Sequence, residues 1–255
     1  MTLFLGKTPA RDGAFPHKFG AIFSAADLPT VPLILGRVEV IHRLGLEWGM
    51  LGNDQAGNCV EVSAPHQVMQ WHALAGTPIP TFTAETSLAD YSAVTGYVPD
   101  SQGTDNGTDM GAFATYWKST GIADITGARH KIDLSVNISP GNLAQVALSI
   151  FMFGSADIGL QLPSSAMDQF ASGQPWVPIA GSVREGGHDV PLIGRNSAGY
   201  YIGVTWGRLQ AIHPSFLTTY MDEGGGHISV EMLNAKHLSP RGYDQAALTA
   251  AAARV

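Results

Sequence analysis

The apolar positions of this chain follow two different rhythms, and the change comes near residue 155. Val60, Ala64, Val68, Trp71 and Ala75 recur at steps of four, four, three and four, which is the spacing of one helical face. A helix is therefore expected over 59–75, with Pro65 either bending it or delaying its start. Further helices are expected over 83–93 and over 109–120, the latter stopped by Gly121. A fourth, over 140–153, would take Ser139 as its cap and Pro140 as its first residue. Beyond residue 155 the apolar runs are short, rich in β-branched and aromatic residues, and separated by Gly, Asn and Ser. They predict strands at 157–162, 190–194 and 200–205. Asp222 and Glu223, followed by three glycines, read as the end of a helix and the start of a flexible link. Helices first and strands later make an α+β fold.

Three segments follow from the same pattern. Residues 1–37 are rich in Pro and Gly and lack periodicity, so they read as an extended arm laid over a body spanning 38–240. The Ala-rich stretch 241–255 reads as a tail. The apolar start at Met1 is too short for the core of a signal peptide, and no apolar run approaches membrane-spanning length. Neither a signal peptide nor a membrane partner is expected.

Composition narrows the chemistry. Against 21 Asp plus Glu the chain has 14 Lys plus Arg, and a net charge of −7 opposes nucleic-acid binding. A single cysteine, Cys59, excludes an intramolecular disulfide and any multi-cysteine zinc site. Cys59 follows a Gly- and amide-rich turn and begins the first helical stretch, where unpaired N–H groups and the positive end of the dipole favour thiolate. A cysteine nucleophile needs a base, and His188, behind two glycines at a strand start, is the candidate. His66 and His72 lie six apart, so they fall on different faces of the helix and make no metal pair. Asp105, Asn106 and Asp109 lack the acidic ligand that would complete a calcium loop. Neither a phosphate loop nor a GxSxG elbow is present. No cofactor and no metal is expected.

Read in order, these features resemble the papain-like cysteine peptidase superfamily. The stretch Asn53-Asp54-Gln55-Ala56-Gly57-Asn58-Cys59-Val60 is followed by Gly107-Thr108-Asp109-Met110-Gly111, then by Gly187-His188-Asp189-Val190, then by Val204-Thr205-Trp206-Gly207. His188 comes 129 positions after Cys59, close to the papain-type spacing. The likeness covers roughly 45–222 and is nearest to papain-like proteins encoded by bacteriophages and bacteria. It implies a helical N-terminal half whose central helix starts at Cys59, and a C-terminal antiparallel sheet or half-barrel. It also implies a cysteine hydrolase cutting peptide or amide bonds, peptidoglycan cross-links included. Cys59 would be the nucleophile and His188 the base, with Asn53, or Gln55 on a shorter turn, holding the oxyanion. Trp206 would shield the pair. Where such enzymes place an Asn to orient the histidine this chain has Val204, which cannot accept a hydrogen bond; Thr205 can substitute if the register differs by one. The alternative is a hydrolytically weak or silent papain-like protein in a phage particle, contacting other virion subunits through its N-terminal arm. The chain would then work in the cytoplasm of a bacterial host or in the virion.

Overall fold

The computed structural model describes residues 3–19, 28–36, 45–101 and 103–233; the Ala-rich tail and parts of the arm lie outside them. Six helices are found among these residues: α1 (Cys59–Ala75), α2 (Ala84–Thr95), α3 (Met110–Ser119), α4 (Leu143–Phe153), α5 (Ser164–Ala171) and α6 (Pro214–Tyr220). The strands are β1 (His17–Lys18), β2 (Ile122–Ala123), β3 (Arg129–His130), β4 (Leu134–Asn137), β5 (Ala156–Pro163), β6 (Arg184–Arg195), β7 (Tyr201–Thr205), β8 (Arg208–Ile212) and β9 (Met221–Ile228). Seven of them form one mixed sheet in the order β1-β4-β9-β5-β6-β7-β8, and only the β1–β4 pair is parallel. This is α+β, with the central helix starting at Cys59. No helix among the described residues is long and apolar enough to cross a membrane.

Local chemistry sets most boundaries. α1 runs through Pro65 and ends at Gly76, whose φ of 72° suits a residue without Cβ. Thr83 caps α2 with a reciprocal capping box. Asp109 caps α3 by accepting from the Ala112 N–H. The fourth helix starts later than its sequence suggests. Pro140 and Gly141 form a turn, and Asn142, not Ser139, caps the helix by accepting from the Gln145 N–H.

The larger correction is at 222–226. These residues are not a helix end and a link; they lie inside β9, between β4 and β5. Three glycines hide the strand pattern, and packing explains them. A Cβ on Gly224 would stand 2.7 Å from Met221 Cε, on Gly225 2.9 Å from the Phe15 ring, and on Gly226 2.7 Å from Ser149 Oγ.

The sheet separates two cores. α1 and α3 pack on one face through Val60, Val68, Trp71, Phe113 and Trp117. On the other, α4, α5 and α6 pack through Val146, Ile150, Phe170 and Phe216, and α4 also reaches the first core through Leu148, Met152 and Phe153. Strand alternation assigns residues between them: Ile202 and Val204 belong to the first core, Val190 and Leu192 to the second.

Candidate active site

The turn before α1 is held from below. Gln55 and Ala56 N–H groups both donate to Gly52 O, which closes the turn and leaves Gln55 exposed. Gln55 is thus turned away from Cys59, and Asn53 is the upstream amide that is buried beside it. Asn53 Nδ2 donates to Ala56 O at 3.1 Å, which uses one of its two protons. Asn58 sits at the N-cap position, but its amide turns back to Leu51 O. The amides of the first turn of α1 therefore have no side-chain cap from Asn58.

One residue that the sequence offered only as part of a weak calcium loop supports this turn. Both Asp105 oxygens accept from the Gly57 N–H at 3.1 Å, and Oδ1 also accepts from Tyr91 Oη at 2.6 Å. Asp105 fixes the backbone two residues before the cysteine.

His188 lies on β6 opposite Leu160 and is 1% exposed. Its Nε2 shares a 2.7 Å hydrogen bond with Thr205 Oγ1 on β7, whereas its buried Nδ1 has no hydrogen-bond partner among the described residues. The Trp206 ring stacks on the imidazole, with centroids 4.5 Å apart and planes 19° apart. Trp206 and Gly207 make the β7–β8 turn with φ of 45° and 75°, a conformation in which a bulky residue is strained. The strained turn keeps the indole over His188.

Cys59, Asn53, His188, Asp189, Val204, Thr205 and Trp206 share the walls of one cavity of about 10 Å³, roughly the room of a single water. Burial pushes the Cys59 thiol up to about 12, an effect increased by the Asp189 charge and partly offset by the Asp189 and Gly6 backbone N–H groups. Burial also lowers the His188 imidazole to about 3. Thiol and imidazole are both neutral here. Asp189 lines the same cavity as His188. Burial, and then the adjacent Asp157, hold its carboxyl well above the ordinary range.

The N-terminal arm explains this dryness. Lys7 bridges Thr108 on one wall and Gly187 on the other as an extended strand would. The Gly6 and Lys7 N–H groups donate to Gly187 O, Thr108 N–H donates to Gly6 O, and Phe4 N–H donates to Asn53 O. Trp206 Nε1 donates to Phe4 O. Glycines line the contact because nothing larger fits: a Cβ on Gly6 would lie 1.6 Å from Gly57 O, and one on Gly187 2.0 Å from Lys7 O. The Lys7 side chain passes over Gly159 and ends 2.8 Å from Glu223 Oε1 and 3.2 Å from Asp222 Oδ2, with no exposed surface.

No protein-family model and no curated protein matches the chain. Solved structures do. Xylellain, a cysteine protease from Xylella fastidiosa, superposes with a TM-score of 0.60 at 12% identity, over 89% of this chain and 96% of that one. ProCathepsin B S9 from Trypanosoma congolense gives 0.63 at 13% identity, over 89% and 86%. Digestive procathepsin L 3 of Tenebrio molitor larval midgut gives 0.59 at 12% identity, over 86% and 75%. At such identities the likeness is one of fold. With a helix opening on Cys59 and packing against this sheet, the chain has the papain-like fold.

Proposed function

We propose that this protein is a cysteine hydrolase of peptide or amide bonds that is held closed by its own N-terminal segment. The observation that carries this reading is the extended run Leu3–Thr8, hydrogen-bonded along both walls above Cys59 as a bound peptide would be. A cleft that grips one extended peptide backbone has the donors and acceptors to grip another.

The residues have assignable roles. With Thr205 accepting, the imidazole proton sits on Nε2 and Nδ1 keeps the lone pair that removes the thiol proton. Cys59 Sγ then attacks the substrate carbonyl carbon, and the oxyanion is held by the Cys59 N–H and the second amide proton of Asn53. The C–N bond breaks as His188 returns its proton to the leaving amine, and water hydrolyses the resulting thioester. In the closed state charge separation between thiol and imidazole is suppressed, because burial raises one group and lowers the other. Release of the arm admits water and removes that penalty.

A second reading, a silent papain-like component of a phage particle, draws on the same neutrality of Cys59 and His188. The test compares the full chain with a chain lacking residues 1–8 on a broad peptide library and on cross-linked peptidoglycan, with Cys59→Ala as control. Hydrolysis that appears on truncation and vanishes in Cys59→Ala supports the enzyme. A truncated chain that is folded and cuts nothing supports the structural role.

A further inference from the structure

About 20 Å along α1 from Cys59, at 1.5 Å per residue, a second cluster gathers three elements remote in sequence. His72 Nε2, from α1, lies 3.2 Å from Glu231 Oε2, and His130 Nδ1, from β3, lies 2.7 Å from the same oxygen. All three atoms are within 4.8 Å of one another. The far nitrogen of each ring is also held. His72 Nδ1 shares a 2.9 Å hydrogen bond with Thr77 Oγ1. His130 Nε2 lies 3.4 Å from Asp124 Oδ2, while the other Asp124 oxygen accepts from the Thr126 and Ala128 N–H groups. Each imidazole is thus fixed at one end while the other end turns toward a common point, the arrangement of histidines that ligate a metal.

We propose that His72, His130 and Glu231 bind a divalent transition-metal ion of the zinc type. Two imidazoles and a carboxylate suit zinc, nickel or copper, and disfavour magnesium and calcium, which take oxygen ligands. Two ligand atoms on a tetrahedral zinc with bonds of about 2.0–2.1 Å stand roughly 3.3–3.4 Å apart. The separations of 3.2 and 2.7 Å reach that with a small retreat of the carboxylate, and the two imidazole nitrogens, within 4.8 Å of each other, with a small approach of the rings. The three side chains are 11–18% exposed, so a fourth position is open to water. The ion would tie the C-terminal end of α1 to β3 and to the turn Val230–Met232 that follows β9. Sequence spacing conceals the site, because the partners of His72 come from elsewhere in the chain and not from its own helix. The cluster stands apart from Cys59 and its chemistry.

The test is a calorimetric titration of the metal-stripped full chain with zinc, in a Cys59→Ser background so that the thiol contributes no ligand. One equivalent should bind and raise Tm, cobalt should give the visible bands of a tetrahedral site, and magnesium and calcium should do neither. His72→Gln and His130→Gln should each weaken binding about 100-fold, and Asp124→Asn at least about tenfold. Near-UV circular dichroism establishes that each variant is folded. Absence of saturable zinc binding, or unchanged binding in the folded His72→Gln/His130→Gln double variant, overturns the site.

Discussion

Thr205 holds His188 where valine would have left it loose, and the difference is one register position on β7. Val204 faces the α1 core, which sends Thr205 to the histidine. In the truncated chain, Thr205→Val should lower kcat by roughly 10- to 100-fold with little change in KM, since a buried ring nitrogen without a partner costs about 1–3 kcal/mol and the imidazole loses its direction. Thr205→Ser should retain most of the rate, and steady-state kinetics of the two variants decide the point. Asp105 acts at one remove. It touches no reacting atom in the proposed mechanism, but its carboxylate receives Gly57 N–H and Tyr91 Oη. Asp105→Ala should destabilise the chain by about 2–3 kcal/mol in urea titration, because it leaves two donors without their acceptor.

Among the elements, the N-terminal segment Leu3–Thr8 and β9 are coupled through Lys7. Its ammonium rises above its ordinary value because Glu223 and Asp222 together outweigh the burial that would lower it. Lys7→Glu places a third carboxylate against those two, so the segment should leave the cleft. Alkylation of Cys59 by iodoacetamide at neutral pH should then accelerate at least about tenfold, as water restores the thiol toward its ordinary acidity. An unchanged rate would mean that the segment does not control access. β9 itself can be distinguished from a link by one methyl group. Gly226→Ala should cost about 1–3 kcal/mol by overpacking against Ser149 and Phe153, whereas in a flexible link it would cost nothing measurable. Thermal denaturation provides the measurement.

At the scale of the whole molecule, one contribution to stability falls as pH rises through the neutral range, and it comes from Glu61. Glu61, fully buried in the first turn of α1, is pushed up to about 8, chiefly by burial. One oxygen accepts from Thr108 Oγ1 at 2.6 Å and the other has no hydrogen-bond partner among the described residues. Its folded value lies above its unfolded one. The stabilising effect of the bound proton is therefore full below the ordinary glutamate value and is lost progressively up to about 8. Glu61→Gln, which keeps an acceptor for Thr108, should stabilise the protein at pH 7 by on the order of 3 kcal/mol and by little at pH 4. Urea midpoints across that range test it; a difference independent of pH would remove Glu61 as the cause.

The residues that begin α1, α2 and α3 were legible in the sequence because caps and helical spacing are local: Thr83 and Asp109 act on amides three residues away. The order of Cys59, His188 and the Trp206-Gly207 pair was legible for a different reason, since each lies in a short run whose residue types suit its proposed role. Everything that depended on what lies across a gap was not. The strand at 221–228 was hidden because glycines carry no β-propensity of their own and are required only by Phe15, Ser149 and Met221. Gln55 and Asn53 are chemically near equivalents, and only the closure of the turn on Gly52 exposes one and buries the other. Chain sequence determined the α+β fold and the candidate thiol and imidazole, through hydrophobic period and local hydrogen bonding. Tertiary packing alone decided that residues 3–8 fill the cleft, that Thr205 meets the imidazole, and that His72 meets His130 and Glu231, because each contact joins groups that only the folded backbone brings within reach.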